Sequence, residues 1–171
     1  MMCPCEPAFS LVQKLQADHE TEFFDCGKEE LNRYLHRFAY INQRAHTAQT
    51  YVVCRGVQVV GYYSLAVGQA EHRDVPSRIS QGIARHPVPL MILARLAVDK
   101  REQGKGLGAA LLKDALLRCR AASEIVGIRA LFVHAKDEEA AAFYRYFDFQ
   151  PSPTDPHHLF LLMKDLMKIC L

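Results

Sequence analysis

The sequence predicts a single α/β domain in which a mixed sheet carries helices on both faces. Three observations predict it. The chain has 171 residues, room for one domain and not for two of ordinary size. Half of it is hydrophobic and 23% is charged, the balance of a globular chain and not of a disordered or fibrous one. Helical and strand periods alternate along it, in the order helix, hairpin, strand–loop–helix, strand, helix, strand.

Each element has its own reason. Asp25-Cys26-Gly27 offers helix-capping chemistry, and Glu29 and Glu30 place negative charge where the helix dipole favours it. Leu31, Tyr34, Leu35, Phe38 and Ile41 then recur at helical spacing, so 27–43 reads as an amphipathic helix. The stretches 50–55 (TYVVCR) and 58–68 (QVVGYYSLAVG) are rich in β-branched and aromatic residues. Their short link at Arg55-Gly56-Val57 makes them an antiparallel hairpin. Residues 70–89 are polar, broken by Pro76, Pro87 and Pro89, with room for one short helix over 77–84.

The most apolar run is 90–98 (LMILARLAV), a central strand buried on both faces. A glycine-containing loop follows, then a helix over 106–123 whose Gly108, Leu111, Leu112, Ala115, Cys119 and Ala122 form one small-to-apolar stripe. Residues 128–135 form a second buried strand, 138–146 a short helix and 159–163 a late strand. No repeat, low-complexity tract or domain-sized linker interrupts this order.

Charge and cysteine usage exclude several classes. Lys and Arg number 21 against 19 acids, a formal charge of +2. That is too balanced for a protein that coats nucleic acid over its whole surface, although a local basic patch is compatible with it. No stretch approaches the roughly 18–20 apolar residues that span a bilayer. The N-terminus, MMCPCEPAFSLVQKL, has neither a basic start nor a long apolar run, so no secretory signal is expected and the chain reads as cytoplasmic. Cys3 and Cys5 lie two apart, while Cys26, Cys54, Cys119 and Cys170 are scattered. Zinc sites bring their ligands in close pairs, so free thiols and no metal are expected.

The informative segment is 99–110, DKREQGKGLGAA. Gly104, Gly106 and Gly108 stand between a buried strand and a helix start, where glycines let backbone N–H groups approach an anion and the helix dipole assists. Arg101 and Lys105 bring full charges to the same place, so the segment reads as a pyrophosphate cradle. The nucleoside-triphosphate loop fails as a template, because Gly106 and not a hydroxyl residue follows Lys105. The dinucleotide fingerprint is met formally by Gly104, Gly106 and Ala109. However, its glycines belong directly after the strand and its acid after the next one, whereas Glu124 precedes that strand. A glycine turn that merely permits tight packing is the bland alternative.

The stretch 101–106 matches R/Q-x-x-G-x-G/A, and RLAVDKREQGKGLGAALL resembles the acetyl-CoA-binding loop of the GNAT acetyltransferases. The resemblance implies a GNAT fold with a mixed, mostly antiparallel sheet. It assigns CoA binding to the loop residues Arg101, Gln103, Gly104, Lys105, Gly106, Leu107 and Gly108. The strand edge Leu96, Ala97 and Val98 would pair with pantetheine. The stretch 137–149, DEEAAAFYRYFDF, is similar to the family's later helix. By that likeness Asp137 and Phe143 also contact the cofactor. Tyr144 is the catalytic residue, a general acid that protonates the departing thiolate. Thiol and phenol reference pKa values of about 8.5 and 10 make that transfer mildly uphill, so positioning matters. A core tyrosine capped by a backbone carbonyl is the alternative for Tyr144, with Tyr146 the more structural of the two. Where the family has FGF this chain has Phe147-Asp148-Phe149, and Asp tolerates the left-handed turn required there.

A more specific resemblance runs over 24–165. FDCGKEELNRYL, VVGYYSLA, VHAKDEEAAAFY and QPSPTDPHHLFLLMKDL look like the GNAT-type toxins of bacterial toxin–antitoxin modules. It implies acetylation of the α-amino group of aminoacyl-tRNA, which blocks translation. The expected partners are a ribbon-helix-helix antitoxin and, through it alone, operator DNA. The residues bear on the substrate as well. An α-amine titrates near 7.7–8.0 against about 10.4 for lysine, so lysine costs roughly 3–4 kcal/mol more to deprotonate at neutral pH. No glutamate stands out as a strong base, which suits an α-amine.

For tRNA, the candidate cations are Arg78, Arg85, Arg95, Lys136 and Arg145, with Arg78 and Arg85 sharing a face if 77–84 is helical. Arg95, inside an apolar strand, must reach a groove, a carboxylate or a ligand. His134 reads as a satisfied core histidine, and His157 and His158 as loop residues. A homodimer would double the basic surface open to an L-shaped RNA. Two alternatives stay open: a GNAT enzyme acting on a small amine or a protein N-terminus, and a non-catalytic CoA-binding module.

Overall fold

The computed structural model describes residues 7–169. Cys3, Cys5 and Cys170 lie outside them. Strands β1 (Gln13–Lys14), β2 (Gln49–Arg55), β3 (Gln58–Ala70), β4 (Val88–Val98), β5 (Ala130–His134), β6 (Gln150–Pro151) and β7 (His158–Leu162) form one sheet in the order β1-β2-β3-β4-β5-β7-β6. The β4–β5 pair is parallel, while β1–β2, β2–β3, β5–β7 and β6–β7 are antiparallel. The predicted hairpin is β2–β3, with a register shift between Val53 and Cys54. The helices are α1 (Glu29–Arg33), α2 (Ala39–Arg44), α3 (Ser77–Ser80), α4 (Leu107–Ser123), α5 (Glu138–Tyr146) and α6 (Met163–Ile169). By contacts the chain forms two compact units, residues up to Leu65 with Arg95–Asp114, and Ala66–Ala94 with 115 onward.

In the first unit the apolar core gathers Leu15, Phe24, Tyr34, Leu35, Val52 and Tyr62. The predicted helix 27–43 is present but is not one regular helix. A π-helical turn, Tyr34–Phe38, separates α1 from α2. Its expected cap also differs: Lys28 occupies the N-cap and its side chain makes no capping bond. The Asp25 carboxylate instead accepts from Gly27 N at 2.8 Å and from Asn32 Nδ2 at 2.9 Å. Gly61 lets α4 approach β3 closely, since a Cβ there would stand 2.9 Å from Val53 Cγ1 and 3.0 Å from Leu111 Cδ1. On α4 the buried stripe runs through Leu107, Leu111, Leu112, Ala115, Leu116 and Cys119, with Gly108 and Ala122 only half-buried.

In the second unit Val75, Ile79, Val88, Leu90, Ala130 and Phe160 form the core. The predicted helix 77–84 stops at Ser80, and Gly82 follows at a φ of +77°. The β4–β5 register joins Leu90, Met91 and Ile92 to Ala130, Leu131 and Phe132 and ends there. β7 continues beside β5 to the pair His134–His158. His134 is therefore not a core histidine: it is exposed, with its ring edge-on to His158 at 4.6 Å. Among the described residues no helix is long and apolar enough to cross a membrane.

Candidate functional site

The chemistry-bearing loop belongs to the first unit and begins where β4 ends. Asp99 is 1% exposed, a burial that a carboxylate tolerates only with donors around it. Its Oδ1 accepts from Arg101 N at 3.0 Å and Arg101 Nε at 2.9 Å. Its Oδ2 accepts from Arg101 Nη2 at 3.0 Å and Asp25 N at 3.1 Å. Burial raises the Asp99 carboxyl, and the Arg101 guanidinium with the two backbone donors outweighs it, so the group titrates below its usual range.

Glu102, also buried, accepts from Arg55 Nε at 2.6 Å, Arg55 Nη2 at 3.2 Å and Lys105 Nζ at 2.9 Å. The Arg55 bond, opposed by burial and helped by Lys105, holds its carboxyl at about 2. Lys100 Nζ meets Asp25 Oδ2 at 3.0 Å. Asn32, Gly27 N–H and Lys100 hold Asp25 at about 2. Gln103 Nε2 donates to Val98 O at 2.9 Å and to Cys26 O at 3.1 Å.

This bracing corrects one expectation. Arg101 and Lys105 do not present bare charges to a ligand, because each is committed to a buried carboxylate. Four cations (Arg55, Lys100, Arg101, Lys105) against three carboxylates (Asp25, Asp99, Glu102) leave one positive charge over the cluster. The loop's open donors are then those of the backbone. Gly104 and Gly106 take φ of +79° and +82°, a region that glycine enters without strain. No heavy atom lies within 4 Å of where a Cβ would stand on either. Tight packing is therefore not what these glycines serve, since the loop opens onto free space. Leu107, Gly108 and Ala109 begin α4, so their N–H groups have no intrahelical acceptor. Ala110 N is the one that bonds back, to Gly106 O at 3.1 Å. Glycine space, first-turn amides and a small positive balance suit a diphosphate. Leu96 and Val98 are half-buried and Ala97 is buried.

The second unit holds the tyrosine helix. Asp137 caps α5 by accepting from Ala140 N at 2.8 Å, so this carboxylate, expected at the cofactor, has a structural task. Tyr144 is buried at 6% exposure, with its ring against Phe149 at 5.4 Å and Phe143 at 5.1 Å. Burial pushes its phenol above the ordinary value. No backbone carbonyl caps its hydroxyl among the described residues. Tyr146, expected to be the structural tyrosine, is 82% exposed. Asp148 takes the left-handed conformation its place in FDF requires, at a φ of +66°.

Of the tRNA candidates, Arg95 belongs to the first unit and the other four to the second. Arg78 and Arg145 line one cleft of about 560 Å³ together with Lys168, Gln150, Asp148 and Asp165. Each already has an acid: Arg78 grips Asp165 through two bonds of 2.7 and 3.0 Å, and Arg145 pairs with Glu138. Because α3 ends at Ser80, Arg85 is an exposed loop residue and does not share a helical face with Arg78. Lys136 is exposed. Arg95 lies over the Tyr34 ring, its guanidinium carbon 3.8 Å from the centroid, so an aromatic face and not a carboxylate meets it. Arg55 and Asp25 were not legible as parts of the loop, because their loop partners lie 47 and 74 residues away, and Asn32 joins it only through Asp25. No group of three or more metal-ligating side chains occurs among the described residues.

The class that the fold and its relatives give this chain is N-acetyltransferase. A family model described as Acetyltransferase (GNAT) domain matches residues 46–151, and the chain belongs to that family. It is 45% identical over 157 residues to the tRNA-acetylating toxin of Mycobacterium tuberculosis (strain ATCC 25618 / H37Rv), covering 92% of this chain and 94% of the relative. AtaT complexed with acetyl-methionyl-tRNAfMet superposes with a TM-score of 0.88 at 32% identity, over 96% of this chain and 100% of that one. A tyrosine-to-phenylalanine mutant of AtaT, bound to the C-terminus of the antitoxin AtaR and acetyl-CoA, gives 0.81 at 32% identity, over 94% and 97% of the two chains.

Proposed function

We propose that the chain is a toxin-type N-acetyltransferase that moves the acetyl group of acetyl-CoA to the α-amino group of aminoacyl-tRNA and so blocks translation. It works in the cytoplasm as one domain over 1–171, under the control of a ribbon-helix-helix antitoxin that also carries it to operator DNA. The observation that carries this reading is the loop, with Gly104 and Gly106 at positive φ facing open space at the start of α4. The 45% identity to a tRNA-acetylating toxin supports the substrate.

Acetyl-CoA supplies an acetyl group activated as a thioester. The amides from Gly104 to Ala109 hold its diphosphate, Arg101, Gln103 and Lys105 keep their backbone in place, and the edge of Leu96–Val98 pairs with the pantetheine arm. Phe143 packs beside it. A phenol holds its proton at neutral pH in any case; burial makes Tyr144 a weaker acid still, so placement beside the leaving sulfur, and not acidity, is what lets it give that proton up. The amine needs no strong base, since an α-ammonium near pKa 8 is partly neutral at pH 7. The neutral amine attacks the thioester carbonyl, the C–S bond breaks as the C–N bond forms, and the proton shed by the new amide nitrogen passes to water, which restores that of Tyr144.

The test is incubation with acetyl-CoA and total charged tRNA, followed by mass spectrometry of the released aminoacyl nucleosides. An N-acetylated aminoacyl-adenosine is expected. Acetylation confined to small amines or protein N-termini, with every aminoacyl-tRNA unmodified, refutes the reading.

A further inference from the structure

We propose that Arg95, laid on Tyr34, is the residue that grips a phosphodiester of the tRNA acceptor end; this rests on the reading of aminoacyl-tRNA as substrate. In the first unit the cations around the loop have carboxylates: Arg55 and Lys105 share Glu102, Arg101 holds Asp99, and Lys100 meets Asp25. Arg95 differs. Half-buried on β4, it makes no hydrogen bond or ion pair among the described residues, and its contact is the face of Tyr34 at 3.8 Å. A guanidinium on an aromatic face keeps its in-plane N–H fork free, and that fork matches phosphate in a bidentate way. Withdrawing an unpaired charge from water is unfavourable, so a ligand that supplies the missing anion accounts for its place.

The platform beneath it is built for rigidity. Tyr34 is 5% exposed and stacks on Tyr62 at 6.3 Å and 19°, and Tyr62 OH donates to Leu31 O at 2.8 Å. Tyr34 also opens the π-helical turn, a feature frequent at functional sites. Its hydroxyl is buried without a partner, so this tyrosine is not placed by its own hydrogen bond and serves through its ring. Arg95 stands one residue before Leu96, the start of the proposed pantetheine edge. By strand alternation it shares a face with Ala97, which packs in the same core as Tyr34. At that position the incoming substrate offers a cationic amine, a neutral ester and phosphodiesters, and the phosphodiester is the anion among them.

The experiment compares aminoacyl-tRNA with an aminoacyl-adenosine bearing the same amino acid and no phosphate, over a salt series, for wild type, R95M, R95K, Y34L and Y34F. For R95M, KM for the RNA rises about ten- to a hundredfold, the range for losing a charge-assisted hydrogen bond. The slope of log affinity against log salt falls by about one, the signature of a single phosphate contact. The loss on aminoacyl-adenosine is at least tenfold smaller, R95K recovers part of the RNA loss, and Y34L but not Y34F shares it. Equal losses on both substrates, or an unchanged salt slope in R95M, overturn the proposal. If R95M fails to fold, R95Q, which likewise removes the charge, is read by the same slope, because R95K keeps the charge and its slope should stay near that of wild type. A wild-type protein that acetylates neither substrate refutes the substrate reading instead.

Discussion

Replacing Glu102 by Gln tests whether the cofactor loop is held by ions. The substitution keeps the shape of a side chain only 6% exposed but removes its charge and turns one acceptor into a donor facing Arg55 and Lys105. Breaking a buried pair costs about 3–5 kcal/mol. Here Lys105 is 49% exposed and can turn to solvent, while Arg55 is 20% exposed and cannot do so freely, so about 2–3 kcal/mol is expected. For a chain of this length that lowers Tm by roughly 5–10 °C. Glu102 titrates at about 2 when folded, against an ordinary 4.5. A lowered folded value means the stabilisation is complete above about 4.5 and is lost as pH falls through 2. The Tm gap between wild type and E102Q, read by calorimetry, should thus be full at pH 7 and narrow between pH 4.5 and 2. A gap near zero at pH 7, or one that stays constant down to pH 2, refutes the reasoning.

Tyr144→Phe should retain acetyl-CoA binding within about twofold by titration calorimetry and lose about 10²–10⁴ in turnover; equal turnover removes the acid role. Gly106→Glu puts a side chain at a φ of +82° and a negative charge in the diphosphate cradle. CoA affinity should fall more than about tenfold beyond the roughly 1–2 kcal/mol of backbone strain, and unchanged binding counts against the loop. Gly61→Ala drives a Cβ to within 2.9 Å of Val53 and 3.0 Å of Leu111. Chemical denaturation should show a loss of about 1–3 kcal/mol, and a neutral result would mean that α4 moves to make room.

The elements that bury a periodic face were readable from the chain. Helix α5 falls on 138–146 as its pattern predicts, and β4 and β7 lie within two residues of their apolar runs. The two-residue strands β1 and β6 exist through pairing alone and carry no period to read. Tyr144 and Tyr146 could have been told apart by Ala141, since i and i+3 share a helical face and Ala141 and Tyr144 are the two buried residues of α5. The loop's glycines were legible, and the fate of its charges was not. Asp99 and Glu102 stand in the same stretch as Arg101 and Lys105, but that both acids are buried and close on those cations depends on Asp25 and Arg55, 74 and 47 residues away. Arg95 was legible as a charge needing company, while Tyr34 as that company required the fold.

The clasp between 25–32 and the loop bears on any attempt to move this loop elsewhere. Asp99 takes one of its four donors from Asp25 N, Lys100 N donates to Asp25 O at 2.8 Å, and Gln103 reaches Cys26 O. Transplanting 99–106 into a foreign scaffold would therefore carry over the glycines and forfeit their anchorage. A chimera should regain CoA affinity when residues 25–32 travel with the loop, which makes the two segments one inheritable cassette though 66 residues of chain run between them.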